Sequence, residues 1–190
     1  MAEDLSGRWA GERGEVELST TEDAEGHRGM EIRAAEKTDF AAVLAMNEGA
    51  LPHVSSLTTA GFSVLAGQCF YFGVAWVDGV VAGSLMALRP GEDYRSLNYR
   101  WFCERYASFV YIDRIVVAPQ FNGLGIGRAL YADVERAARG VAPILTCEVN
   151  LEPPNPGSVA FHTKLGFAEV AQLVADEGKL VSLMVKAVGD

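Results

Sequence analysis

The stretch "VVAPQFNGLGIGRALY", residues 116–131, constrains this chain more than any other. A β-branched run ends, glycines follow at 123, 125 and 127, and a helix-like pattern begins. A strand that turns into a helix this way presents unpaired N–H groups and the positive end of a helix dipole, with no side chains in the way. Such a turn suits a diphosphate; the competing reading is a turn whose glycines serve only to reach positive φ. The dinucleotide pattern G-x-G-x-x-G at a first strand-to-helix turn and the P-loop G-K-[ST] are both absent.

The elements around the turn can be read in order. "MEIRAA" from Met30 is a first strand, and Thr38 is placed to cap a helix with Phe40, Val43, Leu44 and Asn47 on one face. A second short helix is expected within "SLTTAGFSVLAGQ". "CFYFGVAWV" and "VVAGSLMALR" flank Asp78-Gly79, the dipeptide that favours a type I′ hairpin. Residues 89–107 show neither period and hold five aromatics, Tyr94, Tyr99, Trp101, Phe102 and Tyr106; they read as a binding loop, a lid over the core or a homodimer contact. A long strand "SFVYIDRIVV", the glycine turn, a helix over 125–139, the strand "APILTCEVN", a short helix in "NPGSVAFHTKLGF" and a closing hairpin complete a mixed α/β domain over residues 30–190.

Residues 1–29 hold eight Asp and Glu against three Arg, show no apolar period, and are expected to be a poorly ordered acidic extension, with "VELS" the one stretch that could add an edge strand. The net charge of −9 argues against nucleic acid as a partner. No apolar run reaches the roughly 18 to 20 residues of a membrane span, so a cytoplasmic address is expected by default. Cys69, Cys103 and Cys147 form no CxxC pair, so neither a metal site nor a disulfide framework is expected.

Two separated motifs resemble the GNAT acyltransferase superfamily. Its signature V-x-P-x-x-[QR]-x-x-G-x-[GA] fits "VAPQFNGLGIG" with Val117, Pro119, Gly125 and Gly127 in place and Asn122 at the Gln/Arg position. A second register, on Gln120, Gly123 and Gly125, breaks the Val and Pro spacing. The family's later landmark, an Asn seven residues before an aromatic of "xYxxLGF", fits Asn155 with Leu165, Gly166 and Phe167, and His162 replaces the tyrosine.

The resemblance implies a GNAT-like fold with a mostly antiparallel central sheet and flanking helices, and acetyl-coenzyme A as cosubstrate. Its pyrophosphate would lie on the turn from Asn122 through Gly123, Leu124, Gly125, Ile126 and Gly127 to Arg128. Its pantetheine arm would lie between two splayed parallel strands, held by the backbone of Ile115, Val116 and Val117, with Asn155 near the thioester. Transfer in the family goes directly to an amine, so Cys147 is not required as a nucleophile and is expected in the core. The chemistry needs a base, an oxyanion donor and a proton for the leaving thiolate. Glu148 shares a strand face with Thr146 and Asn150 and matches the base of the ribosomal-protein alanine N-acetyltransferase branch; the other readings are a salt bridge or an edge position. Asp113 is expected to bind the substrate amine unless it is neutralised internally together with Arg114. His162 could take over the tyrosine's proton donation, or play no catalytic part. The acceptor pocket would draw on Asn47, Glu48, His53, Tyr99, Trp101 and Glu104. The implied function is an acetyl-coenzyme A-dependent N-acetyltransferase for a small-molecule or peptide amine; the other reading is a coenzyme A-binding regulatory or interaction module without turnover.

Overall fold

The computed structural model describes residues 29–175 and 178–189, and these hold seven strands and five α-helices. The strands are β1 (Met30–Ala34), β2 (Tyr71–Val77), β3 (Val80–Leu88), β4 (Val110–Val117), β5 (Ile144–Glu152), β6 (Ala168–Val174) and β7 (Leu180–Ala187). The helices are α1 (Phe40–Gly49), α2 (Thr59–Gln68), α3 (Leu97–Cys103), α4 (Ile126–Ala138) and α5 (Pro156–Lys164). The strands make one sheet in the order β1-β2-β3-β4-β5-β7-β6, antiparallel throughout except between β4 and β5. The expectations for the acidic extension and for "VELS" fall, apart from Gly29, outside the described residues.

Local chemistry accounts for the turns. Asp78 and Gly79 have φ of 49° and 82°, so the β2–β3 hairpin takes the two left-handed residues that a type I′ turn demands. Thr38 does not cap α1: it lies inside a short 3-10 turn, and Asp39 stands at the boundary instead. The buried Asp39 carboxylate accepts from the Arg33 guanidinium (2.8 and 2.9 Å) and the Glu36 amide (2.8 Å). The connection 89–107 also differs from its reading, because it contains α3. Ser96 caps that helix by accepting from the Tyr99 amide, and Asn98, Tyr99 and Phe102 are buried. Seven residues are too few for a helical period to show in the sequence.

The sheet is covered on both faces. One cluster joins α4 to Tyr71, Leu85, Val110, Ile112, Leu145 and Phe167; the other joins α1, α2 and α3 to Val74, Met86, Phe109, Tyr111 and Leu183. Helix α4 presents Ile126, Leu130, Tyr131, Val134 and Ala138 to the sheet, as its 3.6-residue period requires. Its first turn sits very close to β3. A Cβ on Gly83 would come within 2.8 Å of the Ile126 side chain and 3.1 Å of the Val116 carbonyl oxygen, so only glycine leaves room for the helix to seat there.

The seam between β4 and β5 positions the site. Parallel pairing covers only Val110↔Leu145, Tyr111↔Thr146 and Ile112↔Cys147. Next along β4, Met86 of β3 pairs with Arg114 while Ala87 pairs with Ile112, which leaves Asp113 as an extra, bulged residue. A bulge bends its strand and sharpens the local twist, and here the two parallel strands part beyond it.

Candidate functional site

A cleft of about 1020 Å³ opens where β4 and β5 separate. Its walls are Ile112–Val117 of β4 and Cys147–Asn150 of β5. On the α4 side it is lined by Pro119, Asn122, Tyr131, Asn155, Phe161 and His162, and on the other side by His53, Ser55, Tyr94, Ser96, Asn98 and Val181. The cleft therefore runs through the plane of the sheet.

Ile115, Val116, Val117, Asn122 and Asn155 line it, whereas Gly123, Leu124, Gly125, Ile126, Gly127 and Arg128 lie outside the lining. The three glycines serve different ends. Gly123 and Gly125 have φ of 85° and 78°, and a Cβ on either would meet nothing within 4 Å. Both glycines are therefore required by backbone conformation, and the space above them is open. Gly127 instead makes room, because its Cβ would stand 3.0 Å from the Phe161 ring of α5. Gly125 is the N-cap of α4, so the first amides of that helix lack intrahelical carbonyl partners. Ile126 is buried against the sheet, and Arg128 is exposed. Asn155 caps α5, its Oδ1 accepting from the Ser158 amide at 3.2 Å.

Glu148 faces the α3 side of the gap. Its Oε2 is buried and has no hydrogen-bond partner among the described residues. Burial, followed by the charge of Asp113, pushes its pKa up to about 8, although Tyr111 and Asn98 pull it partly back. Asp113 itself is held on both oxygens. One oxygen accepts from Arg114 Nε at 2.6 Å and the other from the Tyr94 hydroxyl. The bulge explains how neighbouring residues on a strand can meet: strict alternation of faces is broken there. Arg114 continues the network, donating to Asn47 Oδ1 at 2.8 Å and the Ser55 carbonyl at 3.3 Å. Of the two readings for Asp113, the Arg114 contact is the internal ion pair, and each carboxylate oxygen has one donor within the protein.

His162 is buried on the α4 side. Its Nδ1 lies 2.8 Å from the Ser158 carbonyl oxygen, which can only accept, so that nitrogen carries the proton. Nε2 is left to accept from the Tyr131 hydroxyl at 2.7 Å. Burial lowers the histidine's pKa and keeps the ring neutral, with its single proton turned away from Tyr131. Tyr131 is fully buried yet lines the cleft, and burial raises its pKa well above the ordinary value. Cys147 packs in the same core cluster.

Of the six residues expected around the acceptor, only His53 lines the cleft. Asn47 is buried in the Arg114 network, Tyr99 donates to the Arg89 carbonyl at 2.6 Å, and Trp101 and Glu104 engage Arg105. Glu48 accepts from Ser56, the Leu57 amide and Asn47. Tyr94 belongs to the aromatic stretch read as a binding loop, whereas Tyr131 and Asn98 carry no sequence signal for a role in the site. Tyr131 reads as one more apolar position of an amphipathic helix, and Asn98 sits in a helix too short to leave a period.

The family model described as acetyltransferase (GNAT) family matches residues 39–167. No curated protein matches the chain significantly. Among solved structures, Ard1 from Thermoplasma volcanium is 20% identical with a TM-score of 0.68, the match covering 85% of this chain and 99% of that one. The ribosomal-protein-S18-alanine N-acetyltransferase of Escherichia coli is 18% identical with a TM-score of 0.65, covering 85% and 96%. The acetyltransferase yncA of Salmonella typhimurium, described as putative and solved with its cofactor acetyl-CoA, is 21% identical with a TM-score of 0.64, covering 86% and 96%. At these identities the likeness is one of fold.

Proposed function

Because the chain belongs to the acetyltransferase (GNAT) family, we propose that it transfers an acetyl group from acetyl-coenzyme A directly to an amine of a small molecule or peptide. The observation that carries this reading is the placement of two proton-handling groups on opposite faces of the parted strands. Glu148 lies on one face, with a carboxyl that titrates near neutral pH, and the Tyr131–His162 pair lies on the other.

The residues fit the cosubstrate. Gly123 and Gly125 leave open space above bare main chain at a helix N-terminus, and β4 beyond Ile112 is released from β5 on the side where an extended arm would run. Bound there, acetyl-coenzyme A supplies an activated carbonyl and a thiolate leaving group. Asn122 to Arg128 would hold the phosphates, the backbone of Ile115 to Val117 the arm, and Asn155 the region near the carbonyl. Glu148 removes a proton from the amine nitrogen, directly or through water. Its raised pKa suits that task, because a base that titrates near the working pH balances availability against strength. Burial and, after it, the charge of Asp113 keep that pKa high.

The acid role moves from His162 to Tyr131. A neutral ring whose proton is bonded to the Ser158 carbonyl has none to give from Nε2, whereas the Tyr131 hydroxyl carries one and is oriented by that nitrogen. The same loss of the family tyrosine favours a second reading, a coenzyme A-binding module without turnover. A thiol-release assay with acetyl-coenzyme A over a panel of amines and short peptides decides between them. Turnover that falls in Glu148→Gln and Tyr131→Phe supports the enzyme; tight cofactor binding with no turnover on any amine replaces it with the module.

A further inference from the structure

The parallel pairing of β4 with β5 ends at Ile112↔Cys147, so past that point whatever bridges the two strands helps to set their separation. On the α3 side one short segment does so. The His53 carbonyl accepts from Asn150 Nδ2 of β5 at 3.3 Å, and the Ser55 carbonyl accepts from Arg114 Nη1 of β4 at 3.3 Å. Two carbonyls of one segment are thus tied to opposite sides of the gap, and His53, Val54 and Ser55 all line the cleft. The two ties are unequal. At the β4 end the Ser55 carbonyl also accepts from Asn47 Nδ2 at 3.1 Å, and Asn47 Oδ1 accepts from Arg114 at 2.8 Å, whose guanidinium is buried against Asp113. The residues that follow are fastened to α1, because Glu48 accepts from the Ser56 hydroxyl at 2.7 Å and the Leu57 amide at 2.9 Å. Among the described residues, one solvent-exposed hydrogen bond holds the segment to β5.

We infer that residues 53–55 are a strap hinged on Arg114 and latched on β5, and that Asn150 is a positioning residue which, through this latch, holds the strap over the acceptor beside Glu148. The inference rests on the reading of the cleft as an amine acetyltransferase site. Asn150 follows Glu148 by two positions on the same strand face, about 6.6 Å further along β5, so the latch closes just beyond the carboxyl. An acceptor lying against Glu148 has the strap as its outer wall while the latch is made, and open water there when it is broken. The bond weights the latched form by up to about 13-fold, against a loop entropy that favours release. That weight is small enough for opening to admit an acceptor. Its loss lowers the latched population, and with it the apparent affinity, by about 2- to 10-fold. Saturating acceptor restores the latched form, so the chemical step is untouched.

The test is saturation kinetics with benzylamine and with trialanine at saturating acetyl-coenzyme A, alongside hydrogen exchange of the free protein, in wild type, Asn150→Leu, Asn150→Ala and Asn150→Gln. Leucine keeps the shape of asparagine without its donor, alanine removes the side chain, and glutamine keeps an amide. Asn150→Leu and Asn150→Ala are expected to raise the acceptor KM about 2- to 10-fold with kcat unaltered. They should also speed exchange at the amides of 53–55, while that of Leu57, held by Glu48, stays slow. Asn150→Gln should lie near wild type in both. A residue that only supported the fold would move kcat, KM and cofactor affinity together. Unaltered acetyl-coenzyme A affinity by calorimetry shows that a variant is folded; if Asn150→Leu does not fold, Asn150→Ala decides. An unmoved KM without the donor, a fall in kcat at constant KM, or exchange at 53–55 as slow as in wild type overturns the latch and leaves the transferase standing. With no turnover on these or any amine of the thiol-release panel, both fall.

Discussion

Replacing Glu148 by Gln separates two consequences of one buried carboxyl. With its pKa at about 8, roughly one Glu148 in eleven is charged at pH 7 and ten in eleven at pH 9. With an acceptor whose own ammonium deprotonates well below pH 6, kcat/KM should therefore rise about ninefold from pH 6 to 7 and less than twofold from pH 8 to 9. Asp113 is the charge that holds the bend high, and Tyr111 and Asn98 oppose it. Asp113→Asn should therefore move the bend to lower pH. In Glu148→Gln the bend should vanish and the rate fall by about 10²- to 10⁴-fold. Stability moves the other way. A carboxyl whose pKa is raised on folding favours the folded state fully below its ordinary 4.5, and that contribution is lost as pH climbs to about 8. The shift from 4.5 corresponds to an upper bound of roughly 5 kcal/mol, and water in the cleft reduces it. Glu148→Gln should thus melt level with wild type near pH 4 and several degrees above it at pH 9, at about 2 to 4 °C per kcal/mol for a chain of this size. A flat wild-type rate profile, or a melting difference that does not grow with pH, would refute the reasoning.

Gly125→Trp should place an indole in the open space above the turn and weaken acetyl-coenzyme A binding more than about 100-fold by calorimetry, in a protein that remains folded. Gly83→Val should force the α4 N-terminus off the sheet, lowering unfolding free energy in urea by about 1 to 3 kcal/mol and weakening cofactor binding with it. Arg114→Met strands Asp113 and releases Asn47 and Ser55, for an expected loss of about 3 to 5 kcal/mol in the same titration; a loss below about 1 would mean that the network does not stabilise the fold.

The sequence was most legible where chemistry is local. The Asp78-Gly79 hairpin, the amphipathic α4 and the glycine turn each rest on residues adjacent in the chain, and each was readable without tertiary information. The roles of the glycines were less so: positive φ at 123 and 125 can be guessed from a turn, but Gly127 answers to Phe161, more than thirty residues away. The pairing of Asp113 with Arg114 was hidden by the assumption of alternating faces, which the bulge breaks. His162 could be seen as a departure from the family pattern, but its tautomer depends on the Ser158 carbonyl and on Tyr131 from another helix. Asn98 gave no signal at all, because its neighbours in space are Glu148 and Tyr111, on two different strands.

The short parallel seam has a kinetic corollary. Three residue pairs hold the strands together, and past them the sheet becomes a doorway with an entrance on each side. On the proposed reading, a donor arriving over the glycine turn and an acceptor arriving between residues 53–55 and α3 would not queue for one opening. Neither product has to depart before the other reactant enters, so double-reciprocal plots should intersect rather than run parallel.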